Sequence, residues 1–230
     1  MIVHTMTYEE IVKEINIDFK INIEPRLQDY FGQYNKYRRF MIKDKTSKTI
    51  YFQPIYYTSN RGNKYVIRFV SDGKSQFLKN GILYYIYVYY YQSNGIYSVM
   101  LSNETYNCKK LFLFYTPHFF DRYKERHLKD SKTQKLYVIE HFFSHNKNNS
   151  IQYLEDKFYE NSLFITTEEG VCFGDQISQT IIEVKTYISF EMLRRDQLKI
   201  QLDGNTMIRE FIEKYYLKLP NKLAKPKKYF

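Results

Sequence analysis

Residues 116–128 read Thr-Pro-His-Phe-Phe-Asp-Arg-Tyr-Lys-Glu-Arg-His-Leu, which places His118, Arg122 and Arg126 four residues apart. On a helix a step of four turns the direction by about 400°, so the three side chains drift only ~40° per step and share one face. An imidazole beside two guanidiniums has a definite chemical use. Histidine exchanges a proton near neutral pH. Arginine grips a phosphate with paired hydrogen bonds and stabilises charge that builds on it. His118 would also lie in the first helical turn, whose positive partial charge favours the neutral, basic imidazole. Such a set can cleave RNA without a metal: a base takes the ribose 2′-hydroxyl proton, cations steady the phosphorane, and an acid protonates the leaving oxygen.

A second group stands further along, in Val184-Lys185-Thr186-Tyr187. A helix carrying His-x-x-x-Arg-x-x-x-Arg, a second helix, and strands closing on Lys185 and Thr186 resemble the RelE/barnase/colicin-ribonuclease-like superfamily of bacterial toxins. The resemblance covers residues 113–190. It implies a basic helix facing a short antiparallel sheet, with the last strand adding Lys185, Thr186 or Tyr187 to the active centre. It implies RNA as substrate and a protein partner of antitoxin type. The chain departs from the pattern in carrying over a hundred residues ahead of the motif.

Each of these residues also has a plain structural reading. Arg122 and Arg126 can form ordinary surface pairs with Asp121, Glu125 and Asp130. His141 and His145 sit at i, i+4, a spacing that can chelate a metal. No HExxH context or cysteine pair accompanies them, so the sequence assigns no metal and no cofactor. The adjacent Glu168 and Glu169 precede Gly170; one can point inward as a base, although a turn is the simpler account. Cys172 lies in an apolar strand and reads as a small core residue.

The elements that must position these groups are legible in outline. Thr7-Tyr8-Glu9-Glu10 fits a capping box ahead of a helix bearing Ile11 and Ile15, and Pro25 permits a second helix ended by Gly32. From Tyr37 to Tyr115 the pattern predicts strands. Segments 50–58 and 64–70 flank a Gly-containing loop, and segments 82–92 and 96–101 flank Ser93-Asn94-Gly95, a strong hairpin signal. Residues 110–115 add a further strand. Pro117, with Thr116 as cap, starts a helix to about Leu128, and a second follows over 133–144. Segments 163–167, 171–174 and 180–189 read as strands, 190–195 and 206–217 as helices. The expected fold class is α+β: an antiparallel sheet of about five or more strands, helices packed beside it, and N-terminal helices. The expected organisation is a helical segment 1–36, an α+β domain 37–217 and a basic tail 218–230.

Composition bounds the partners. The 230 residues carry 35 Lys+Arg against 25 Asp+Glu, a formal charge of +10. Lys218, Lys222, Lys225, Lys227 and Lys228 place half of it in a tail without acids, a segment able to hold nucleic acid by counterion release or simply to be solvated. Along 82–91, Leu83, Tyr85, Tyr87, Tyr89 and Tyr91 share one face. Tyr87 and Tyr89 could stack nucleobases; the alternative is a face half-buried under a helix. The longest apolar run is too short for a membrane helix, no secretory leader is visible, and two cysteines make no disulfide framework, so a cytoplasmic protein is expected. Three functions remain open: a metal-independent endoribonuclease of toxin or defence type, a non-catalytic nucleic-acid- or protein-binding accessory factor of a mobile element or phage, and a protein that oligomerises through an exposed Tyr-rich strand edge.

Overall fold

The computed structural model describes residues 1–32, 34–43, 50–71, 77–78, 82–106, 109–146, 150–153 and 162–192. The N-terminal helix α1 (Tyr8–Asp18) opens on the predicted capping box, with Thr7 accepting from the Glu10 amide and Glu10 reaching back to the Thr7 amide. A π-helical turn, Phe19–Ile23, leads directly into α2 (Glu24–Gly32), and α3 (Tyr34–Lys43) follows. Helix therefore continues through the point at Tyr37 where the strand pattern was expected to begin. Met41, fully buried against the sheet, shows why: the apolar positions of this stretch serve a helix face.

Among the described residues ten strands form one sheet: β1 (Ile50–Tyr51), β2 (Ile55–Thr58), β3 (Lys64–Ser71), β4 (Leu83–Gln92), β5 (Gly95–Tyr106), β6 (Lys109–Tyr115), β7 (Ser150–Tyr153), β8 (Ser162–Thr166), β9 (Gly170–Ser178) and β10 (Ile181–Ser189). The order is β1-β3-β4-β5-β6-β10-β9-β8-β7, with β2 also on β3. All pairings are antiparallel except β6 with β10, the parallel seam that joins two meanders. Between the meanders run α4 (Pro117–Tyr123), its π-helical extension Lys124–Leu128, and α5 (Lys135–His145). The fold is α+β, as expected. Segment 50–58 is two strands rather than one, because Pro54 between them has no N–H to give to a ladder. β7 was not anticipated. The expected helix over 190–195 is described only as a 3-10 turn, Phe190–Met192; segment 206–217 lies outside the described residues. No helix among the described residues is long and apolar enough to cross a membrane.

Helices cover both faces of the sheet rather than one. On one face Ile11, Ile15, Ile23, Leu27 and Met41 pack on Ile67, Phe69, Ile86, Val88 and Phe114. On the other, Phe119, Phe120, Tyr123, Val138, Ile139, Phe142 and Phe143 of α4 and α5 pack on Tyr85, Tyr87, Leu113, Tyr115, Ile182 and Val184. The reason is in the strands: β3 is buried at every position after Lys64, so both its faces need a cover.

That second layer decides the tyrosine face. Tyr87 is wholly buried with its ring stacked on Phe143 at 4.2 Å, and Tyr85 donates to the Phe143 carbonyl. Tyr87 therefore presents no ring to a nucleobase, a correction to one of the sequence readings. Tyr89 is half-buried, with Lys64 Nζ 5.7 Å from its ring centroid. β4 is paired on both sides, by β3 and β5, and so is not an exposed edge through which copies could join.

The N-terminal layer is tied to the β2–β3 loop by acids. Glu14 accepts from Arg61 at 2.9 and 2.5 Å, from the chain's terminal ammonium at 2.5 Å and from Asn63 at 3.1 Å. The Arg61 hydrogen bonds, opposed by burial and helped by the terminus and Asn63, hold the Glu14 carboxyl down at about 2. A depressed acid stabilises the fold above its unfolded-state value and loses that contribution as pH falls through the folded one. Stability is expected to decline between pH 4.5 and about 2. In Glu14→Gln that decline should be shallower, as read from denaturant midpoints at several pH values.

Candidate functional site

α4 is entered as predicted: Thr116 Oγ1 accepts from the Phe119 amide at 3.2 Å, and Pro117 takes the first turn, where no N–H is needed. This places His118 on the exposed side of the first turn, with Phe119 and Phe120 turned into the core. Arg122 Nε donates to His118 Nε2 at 3.4 Å, and Arg122 Nη1 pairs with Glu125 at 2.8 Å. His118 lines an open depression of about 450 Å³ together with Asn94, Tyr97, Asp121 and Lys185. The structure thus brings His118, Arg122 and Lys185 into one neighbourhood. Lys185 reaches it because a bulge at Lys185 breaks the β10–β9 register between Val184 and Thr186. Its ammonium is paired with Asp175 at 2.5 Å and Glu183 at 3.3 Å. The Asp175 hydrogen bond pushes the Lys185 pKa up, and the same bond holds Asp175 down. Thr186 is half-buried beside it.

Arg126 does not join this face. The α-helix ends at Tyr123 and the chain continues as a π-helical turn, which widens the winding and shifts every later side chain out of the 3.6-residue phase. Arg126 Nη1 instead donates to the Tyr187 carbonyl at 2.6 Å. It fastens the turn to β10, which corrects its expected place beside a scissile phosphate. Lys225, Lys227 and Lys228 lie outside the described residues.

At the other end of this helical segment stands a polar cluster that spacing alone did not disclose. Its centre is Glu169, in the turn between β8 and β9. Glu169 Oε2 accepts from the Tyr123 hydroxyl at 2.5 Å and from Asn146 Nδ2 at 2.9 Å, and Oε1 lies 3.3 Å from His127 Nε2. Asn146 Oδ1 accepts from the Glu169 amide at 3.0 Å, so one side chain holds both ends of this residue. Tyr123 Oη is also 2.9 Å from His141 Nδ1, and the His141 and His145 rings stack at 4.0 Å. Burial raises the Glu169 carboxyl, but the hydrogen bonds from His127, Tyr123 and Asn146 outweigh it and hold the group at about 2. Burial, then His145, lowers His141. The Tyr123 hydroxyl is pushed far up, by burial first and then by Glu169.

Gly170 lets this turn close. A Cβ there would lie 2.5 Å from the Ile188 carbonyl and 2.5 Å from the Tyr187 hydroxyl, which donates to the Glu169 carbonyl at 2.6 Å. Gly170→Ala is expected to cost about 1–3 kcal/mol of stability through overpacking. Thermal unfolding beside the parent chain checks this, and an unchanged midpoint would show that the turn has room to move.

The sequence singled out the His141–His145 pair, and Glu169 apart from it, and gave Tyr123 no part in a site. One signal was present: four of the five histidines lie between residues 118 and 145. No protein-family model, curated protein or solved structure matches the chain. Fold and site together define a class only: an α+β protein with a sheet covered on both faces, bearing a His–Arg–Lys depression at one end of a helical segment and a His–Tyr–Glu cluster at the other.

Proposed function

We propose that the protein acts on RNA, as a metal-independent endoribonuclease of toxin or defence type, at the depression by the first turn of α4. The observation that supports this most directly is the His118–Arg122 pair on an open surface that Lys185 also lines. The long contact from Arg122 Nε puts His118 Nε2 in the acceptor role. With a substrate in place of that contact, Nε2 would take the proton of a ribose 2′-hydroxyl. The 2′-oxygen would then attack the adjacent phosphorus, and the bond from phosphorus to the 5′-oxygen would break, leaving a 2′,3′-cyclic phosphate. Arg122 would hold the non-bridging oxygens, exchanging Glu125 for the phosphate. Lys185, whose pKa is pushed up, would supply charge rather than a proton, so water would protonate the leaving oxygen. The resemblance of the helix and closing strand to bacterial ribonuclease toxins points the same way. The test is incubation of the purified protein with labelled single-stranded RNA and DNA in EDTA, resolved on a denaturing gel. Cleavage of RNA alone is expected; intact RNA would remove the proposal.

A second reading is favoured by the carboxylates that already pair with both cations. If Asp175, Glu183 and Glu125 keep their partners, the surface binds without cleaving, and the formal charge of +10 supplies the attraction. Binding on a native gel that weakens steeply with salt, with RNA left whole, identifies that case.

A further inference from the structure

Beyond the RNA reading, we infer that α5 and the β8–β9 turn form a binding site for a divalent transition-metal ion of the zinc class, ligated by His141, His145 and Glu169. Each of the three offers a donor atom within 4.8 Å of the other two. The two histidines lie one helical turn apart on α5 with their rings stacked at 17°, the spacing at which a helix presents two imidazoles to one ion. The third ligand comes from 24 residues further on, brought there by the Asn146 bonds to Glu169.

The surroundings do what outer groups do at metal sites. His145 Nδ1 lies 2.8 Å from the His141 carbonyl, which can accept only from a protonated nitrogen. The ring proton is therefore on Nδ1, and the Nε2 lone pair is left to a ligand. Among the described residues that nitrogen has no other partner. Tyr123 and Asn146 both donate to Glu169 Oε2, which fixes the carboxylate plane and leaves Oε1 with only the longer contact to His127. With its hydroxyl proton given to Glu169, Tyr123 accepts from His141 Nδ1, so the His141 lone pair is on Nε2.

Two imidazoles and one carboxylate select the ion. Magnesium and calcium take oxygen ligands; imidazole suits zinc, nickel and copper. Zinc sits about 2.0–2.2 Å from such donors, so in a tetrahedral site they stand roughly 3.4 Å apart. The widest pair must close by up to about 1.4 Å on binding, and His145, exposed on the last turn of α5, is the least enclosed of the three. Three protein ligands leave a fourth position to water.

The experiment uses the full chain, stripped with EDTA and dialysed free of chelator, titrated with zinc chloride in a calorimeter and by thermal shift. One zinc per chain and a raised unfolding midpoint are expected, with magnesium chloride giving neither. His145→Ala, at an exposed position that the fold does not need, should lower affinity at least about tenfold and abolish the thermal shift, with an unchanged circular dichroism spectrum. Glu169→Gln should do the same to binding. His118→Ala should bind zinc as the parent does, which separates this site from the RNA depression; the RNA assay in EDTA is likewise independent of it. Absence of stoichiometric zinc binding, full binding by His145→Ala, or loss of binding in His118→Ala would overturn the assignment.

Discussion

His118→Ala is expected to cut RNA cleavage by about 10²–10⁴-fold, the usual contribution of a positioned acid–base group. The fold should survive. His118 is exposed on the first turn of α4, its one hydrogen bond among the described residues is a long contact from Arg122, and the helix cap is made by Thr116 instead. Surface changes of this kind cost within about 0.5 kcal/mol. Rate and stability should therefore separate cleanly. The measurement is the initial rate on a labelled oligoribonucleotide in EDTA, beside a thermal unfolding curve of the same preparation. Cleavage at the parent rate would remove His118 from the chemistry. A rate that falls only in step with the folded fraction would mean the residue had been structural.

Asp18→Ala should produce the largest loss of stability. Asp18 is wholly buried, at the point where α1 passes into the π-helical turn. Its carboxylate accepts from Asn22 at 2.7 Å, Ser59 at 2.7 Å, Asn63 at 2.5 Å and Tyr65 at 3.1 Å. These donors come from α1's continuation, the β2–β3 loop and β3, so one acid joins the N-terminal layer to the sheet. Alanine removes the acceptor and strands the donors where water is scarce. A buried group left without its partner costs about 1–3 kcal/mol, and bonds to a charged acceptor are the strong ones. A loss of at least ~3 kcal/mol is expected, a shift in melting temperature of roughly 10 °C for a chain of this size. Guanidinium unfolding of the two proteins checks it. A loss below about 1 kcal/mol would show that the loop finds other acceptors.

The features the sequence disclosed are those settled within a few residues. The Thr7–Glu10 capping box, the Thr116–Pro117 helix start and the Asn94-Gly95 hairpin each depend on neighbours a turn away, so residue type is enough. The alternation along 82–91 likewise separated the two faces of β4 correctly. Which of them would be open to solvent was another matter. That depended on α5, some fifty residues later, laying Phe143 on Tyr87. Arg126 shows a different limit. Its four-residue spacing from Arg122 was real, but the chain winds as a π-helical turn after Tyr123, Arg126 bonds to β10, and the spacing no longer measures direction there.

The sequence by itself determined the class, most of the element types, the caps and the nearness of His118 to Arg122, because these rest on local geometry and on periodicity. Only the tertiary structure decided that the sheet is covered on both faces and that Lys185 reaches the His118 depression. It alone gathered Tyr123, His127, His141, His145 and Glu169 from two helical segments and a hairpin turn. The physical reason is the parallel pairing of β6 with β10. It sets β10, and with it the β8–β9 hairpin, against the helices that leave β6. Groups far apart along the chain then share hydrogen bonds, and no spacing rule spans that distance.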